Sequence, residues 1–307
     1  MIRARILIRP LVPIALAIGM QFPGTAQMLS VIPTVEDPTQ LHFDPAFIQR
    51  NGIISITGRK LVKRDNEPMR EQKEVHLFRF DAQGRMMYSN NSYGRPGSGR
   101  DTASVTFAFD GHGAVVREAH NDLNGHFTFD LQRDTAGRVV RKTYSRIENL
   151  SNDRYALVPG LRTEISDERY SHQVLNDTAR RITHLNNIGL PWREQTWSRD
   201  RWGYLRAIED RYLVSGRYGR ITFRYDEKGR LAERIEQPDL ASAATTKHTW
   251  RYDPAGNVTL CDAWRDEAQV SHEEYVYEEG SMLLKATVRK QFDTGLIHIV
   301  RYTTERR

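Results

Sequence analysis

The chain has 307 residues, 45 of them Lys or Arg and 39 Asp or Glu, for a formal net charge of +6. The signs are interspersed, as in Arg230-Leu231-Ala232-Glu233-Arg234, so the concentrated basic face typical of nucleic-acid binding is missing and no nucleic-acid partner is expected. Cys261 is the sole cysteine, which excludes an internal disulfide; the fold must rest on a broad buried surface, for which this length suffices.

Residues 1–26 read as an export signal. Arg3, Arg5 and Arg9 precede the apolar run Leu11–Met20, and Gly24 and Ala26 are small residues at signal-peptidase spacing. Cleavage is expected after Ala26, leaving a net charge of about +3. A membrane anchor is the competing reading, but the run is shorter than the ~20 residues that span a bilayer. The mature chain is therefore expected to carry no transmembrane helix. An exported protein of the periplasm, cell surface or medium follows. Residues 27–70 lack the pattern described next and are expected to cover an edge or end of a sheet.

From residue 71 to 307 one short phrase recurs: an aromatic pair, an acid, a two-residue gap, a glycine, then an apolar residue. Phe78-Arg79-Phe80-Asp81 leads to Gly84 and Met86, and Phe107-Ala108-Phe109-Asp110 to Gly113 and Val115. Asp134 leads to Gly137 and Val139, with a poorer copy from Asp177 to Ile182. Trp197-Ser198-Arg199-Asp200 is followed by Gly203 and Leu205. The cleanest copies are Phe223-Arg224-Tyr225-Asp226 with Gly229 and Leu231, and Trp250-Arg251-Tyr252-Asp253 with Gly256 and Val258. Tyr275-Val276-Tyr277-Glu278 ends at Leu283 without the glycine. A fixed period implies repeated structural units.

Each phrase fits a β-hairpin. Side chains alternate across a strand, so Phe223 and Tyr225 share one face and Thr222 and Arg224 the other. Asp opening a turn can accept bonds from backbone amides ahead of it, and the glycine admits the left-handed backbone that closes the hairpin. Gly229 and Gly256 are therefore expected at positive φ.

The phrases at 223–231 and 250–258 resemble the YD repeat of RHS-type proteins: tyrosine-aspartate, two residues, glycine, commonly arginine, then an aliphatic residue. The resemblance runs from about Lys73 to Arg289. It implies a short, repeat-only member, with no toxin or other cargo domain, whose relatives wind many repeats into a β-walled shell.

Catalytic and metal motifs are missing. There is no His-Glu-x-x-His, Cys-x-x-Cys or Gly-x-Ser-x-Gly. His112, His120 and His126 suggest surface hairpin positions rather than a metal site, and the single acid per turn suits capping better than calcium. No catalytic residue, metal or cofactor is assigned. Trp197, Phe223, Tyr225, Trp250 and Tyr252 remain as candidate binding residues, against the plainer reading of a cross-strand core stripe.

The expected architecture is all-β: an antiparallel meander of hairpins, fourteen to eighteen strands, forming a large curled sheet or incomplete barrel. The expected function is an exported cell-envelope or secreted repeat protein that binds or scaffolds a carbohydrate or protein partner without turning it over. Two alternatives stand beside it: a secreted hydrolase whose site forms only in three dimensions, and an outer-membrane β-barrel.

Overall fold

The computed structural model describes residues 27–93, 103–122, 125–153 and 157–307. The export signal read at 1–26 and most of the glycine-rich stretch 91–100 lie outside the described residues.

The acid of each phrase closes its turn through its side chain. Asp226 Oδ1 accepts from the backbone N–H of Lys228 and of Arg230, both at 2.9 Å, and Oδ2 accepts from Arg230 Nε at 2.7 Å. Asp81 with Arg85, and Asp134 with Arg138, repeat the arrangement. Asn257 takes the arginine's place against Asp253. This explains why a basic or amide residue follows the glycine in these four copies, while Ala114 and Tyr204 offer Asp110 and Asp200 only a backbone N–H. Gly229 and Gly256 adopt φ of +77° and +97°, as the turn chemistry requires. The Asp177 copy departs from the pattern: the capping oxygen there belongs to Asn176, which accepts from Thr178 N–H.

A second device ties one hairpin to the previous one. The tyrosine before the acid sends its hydroxyl back to the carbonyl that opens the preceding return strand. Tyr225 donates to Leu205, Tyr252 to Leu231 and Tyr277 to Val258, at 2.6–2.9 Å. The arginine after the glycine reaches forward instead, and Arg230 lies 4.4 Å over the ring of Tyr252. The repeated phrase is thus a turn, a backward tether and a forward cation–π contact.

The strands follow one another without crossing. They are β1 Ile53–Arg64, β2 Arg70–Phe80, β3 Met86–Tyr93, β4 Ser104–Phe109, β5 Val115–Asp122 and β6 Gly125–Arg133. Next come β7 Val139–Asn149, β8 Pro159–Asn176, β9 Ala179–Leu185, β10 Pro191–Arg199, β11 Leu205–Tyr212 and β12 Tyr218–Tyr225. The last six are β13 Leu231–Gln237, β14 Thr246–Tyr252, β15 Val258–Arg265, β16 Ala268–Tyr277, β17 Leu284–Gln291 and β18 Leu296–Arg306. Every consecutive pair is antiparallel, and β1 also pairs with β18, in a register that sets Gly58 opposite Tyr302.

The sheet therefore closes, and the expected curled sheet or incomplete barrel is corrected to a closed, all-β, 18-strand antiparallel meander barrel. Closure removes the two edges that an open meander leaves unpaired. All the acidic turns fall at one end, here called the rim, because each phrase sits at the foot of a descending strand.

Ahead of β1 the chain packs against that rim. Leu29 and Phe43 form an antiparallel bridge, and a short helix, α1 Pro45–Arg50, is capped by Asp44 Oδ1 accepting from Phe47 N–H at 2.8 Å. Met28 and Ile48 are fully buried. They join Ile56, Phe80, Leu205, Phe223, Trp250 and Leu284 in one apolar cluster. Segment 27–52 is a plug inside the rim end of the barrel.

Candidate functional site

Strand alternation gives the barrel two unlike faces. Register pairs place Phe223, Arg234, His248, Cys261, Glu273, Arg289 and His298 on the face that also meets the plug. The same face continues through Lys60, His76, Phe127, Tyr144, Tyr170 and Trp197 on the remaining strands. The opposite, outer face carries ion pairs between neighbouring strands: Arg117–Asp130, Arg141–Asp167, Arg220–Glu209 and Arg224–Glu233.

The inner face changes character along the barrel. Near the rim it is aromatic and aliphatic and sealed by the plug. Two to four residues higher on the same strands it becomes polar, and there a cavity of about 800 Å³ opens. Its wall includes Lys60, Glu74, His76, Glu273, Arg289 and His298, with Asp37 and Leu41 of the plug forming its floor. Gln72, Asp122 and Gln291 carry the lining to the strand ends away from the rim.

The charges of this cavity are largely matched in place. Lys60 pairs with Glu74, and Arg289 donates Nη2 to Glu273 Oε2 at 2.7 Å. Burial, then the neighbouring Lys60 ammonium, pushes His76 down to about 4. Burial followed by the Arg289 and Lys60 charges also lowers His298. Both imidazoles are neutral near pH 7, so the cavity presents hydrogen-bonding groups with little uncompensated charge. No group of three or more His, Cys, Asp or Glu side chains among the described residues is placed to hold a metal ion.

The five candidate binding residues fall into two sets. Phe223 and Trp250 are buried in the apolar cluster beneath the plug. Trp197, Tyr225 and Tyr252 are half-buried and line a second, smaller cleft between the plug and the wall. Adjacent copies of the phrase are two strands apart, so these side chains are not direct cross-strand neighbours. Of the clustered histidines, His120 stacks on Phe127 inside the barrel, with ring centroids 4.8 Å apart, and His126 faces outward. Cys261 is buried, and burial pushes its thiol well up, leaving it inert.

The polar cavity went unseen in the sequence because its residues share no motif. Their signal is the same period-two alternation read upward from each phrase: Glu273 before Tyr275, His76 before Phe78, and His248 before Trp250.

No family model matches the chain, and no curated protein does. Among solved structures it is similar to a porin-like protein from Bacteroides uniformis, at 14% identity and a TM-score of 0.40, over 83% of this chain and 97% of that one. A porin-like protein from Bacteroides vulgatus matches at 10% identity and a TM-score of 0.34, over 80% and 97%. A LolA superfamily protein from Nitrosomonas europaea matches at 10% identity and a TM-score of 0.17, over 84% and 88%. Likeness of this degree assigns no activity.

The YD-repeat membership is therefore corrected. No family model supports it, and the hairpins close a barrel rather than extend a repeat array. The physical reason is local. The rim hairpins at Tyr225-Asp226 and Tyr252-Asp253 share the need for a capped turn and a tether to the previous strand, and meet it with similar residues. The secreted, carbohydrate- or protein-binding repeat scaffold falls with the family, and of the alternatives the one that shares the observed architecture is the barrel, whatever its surroundings. No described helix is long and apolar enough to cross a membrane, which says nothing about a barrel.

Proposed function

We propose that the protein is a plugged, porin-like barrel of the cell envelope whose lumen is a one-mouthed compartment for a small polar solute. One observation carries this reading: segment 27–52 fills the rim end with apolar side chains, while the 800 Å³ polar cavity lies open above it. A barrel of this strand number encloses a water-filled lumen unless something occupies it. Sealing one end turns a channel into a cup. Export to the envelope rests on the leader-like stretch of residues 1–26.

The outer face supports an aqueous setting. A barrel in lipid presents an apolar band about 25 Å tall, and a charge at mid-depth costs roughly 2–4 kcal/mol. Here Arg220, Thr222 and Arg224 stand in succession on the outside of β12, and Lys247, Thr249 and Arg251 on that of β14. Such charges at successive outward positions favour water outside the barrel as well as inside it.

Fractionation of the native envelope and a liposome-swelling assay test the reading together. Osmotic shock is expected to release the protein, and purified protein is expected to give no swelling. Recovery as a heat-modifiable outer-membrane species that passes solutes would overturn it.

A further inference from the structure

At the rim, the inner face of β9 and β10 holds two guanidinium groups without an acidic partner. Arg180 lies 5.0 Å over the ring of Trp197, and its Nε is buried with no acceptor. Arg199, two residues beyond Trp197, is exposed and donates Nη1 only to the carbonyl of Gly203, at 2.7 Å. Neither forms an ion pair among the described residues, whereas the inward-facing Lys60, Arg193, Arg234 and Arg289 are each matched by a carboxylate. Asp200 is nearby in sequence, but its Oδ1 is occupied by the N–H groups of Trp202 and Tyr204. A third donor, Trp197 Nε1, is likewise buried without an acceptor.

Trp197 and Arg199 line the smaller cleft, about 380 Å³, together with Val31, Pro33, Tyr204 and Tyr225 among others, and Arg180 lies behind the Trp197 ring. The rings of Tyr204 and Tyr225 are 4.9 Å apart. The hydroxyl of Tyr225 is engaged with the Leu205 carbonyl, which fixes that ring as an apolar wall. The cleft thus combines aromatic surfaces with the positive charge of Arg199, which forms no ion pair among the described residues. Burial, and after it the charges of Arg199 and Arg138, work against the charged state of Arg180. An arriving anion relieves that repulsion.

We propose that this rim cleft binds a small aromatic anion, its carboxylate or sulfonate held by Arg199 and its ring against Tyr204 and Tyr225. Aromatic rings take a flat apolar ligand, and guanidinium groups take an oxyanion by charge-assisted hydrogen bonds. The site is separate from the polar cavity above the plug and does not depend on what that cavity holds.

Titration calorimetry of the full chain with 2-naphthoate tests the proposal, with the neutral 2-naphthalenemethanol and with cyclohexanecarboxylate as comparisons. Saturable binding of 2-naphthoate is expected, with each comparison at least about tenfold weaker. Arg199→Gln, at an exposed position that leaves the wall intact, is expected to weaken 2-naphthoate by about tenfold at an unchanged melting temperature. Equal binding of the neutral alcohol, equal binding by the Arg199 variant, or no heat with 2-naphthoate would each overturn the site.

Discussion

A single hydroxyl separates the tethering role of the phrase tyrosines from plain packing. Tyr252 is half-buried and its hydroxyl bonds the Leu231 carbonyl at 2.6 Å, so Tyr252→Phe keeps the ring and strands that carbonyl. The loss is expected to be about 1–2 kcal/mol. Trp250→Ala removes a side chain only 5% exposed inside the apolar cluster, and should cost about 3–5 kcal/mol. Denaturant midpoints of the two variants, compared with the parent, check both values. An equal, small effect of both would mean that the rim cluster is loosely packed. This residue scale was the most legible in the sequence. Asp capping, the left-handed glycine and the alternation of Phe223 with Tyr225 are all local events within a few residues. The same locality misled the family assignment, because recurring turn chemistry looks like shared descent when it is a shared geometric demand.

At the scale of the element, the plug and its bed form the part most sensitive to pH. His248 is buried beside Trp250, facing Arg234 on β13, Arg289 on β17 and Asp37 of the plug. Burial, then the Arg234 charge, brings it from the ordinary 6.5 to about 4, and His76 is lowered to about 4 as well, by burial first and then by Lys60. Between pH 6.5 and 4 the unfolded chain binds more protons at these sites than the folded one. Stability is therefore full above about pH 6.5 and falls as pH drops towards 4, by roughly 2–3 kcal/mol for each histidine. His272, on the outer face, is held the other way by Asp262 despite partial burial and gives a small opposing contribution. Melting temperatures at pH 7.5 and 5.0 should differ by several degrees, and His248→Gln should shrink the difference. A flat profile in the parent would show that protonation is accommodated without disturbing the plug. None of this was readable from the chain. Segment 27–52 carries no phrase, and Met28 meets Leu284 N–H across 256 positions of sequence.

Closure belongs to the whole molecule, and it too left no local trace. Nothing near β1 announces that its partner is β18, and the bond from Ser55 to Glu305 spans 250 residues. The seam does have a physical signature at Gly58. A Cβ there would lie 2.8 Å from both Tyr302 Cε1 and Val300 Cγ1, so the missing side chain is what lets the Tyr302 ring lie across β1. Because side chains on one face pack against their diagonal neighbours, filling that space pushes Tyr302 off the seam. Gly58→Val is expected to destabilise the protein by about 1–3 kcal/mol. The effect should be local in origin, since the rim tethers along β11 to β16 do not pass through this pairing. Hydrogen exchange is then expected to speed up first in β1 and β18, while β12 and β13 keep their protection. Uniform acceleration around the barrel would mean that the seam opens only when everything does. In that case closure is the cooperative step that defines the folded state, and the long-range pairing should make refolding slow.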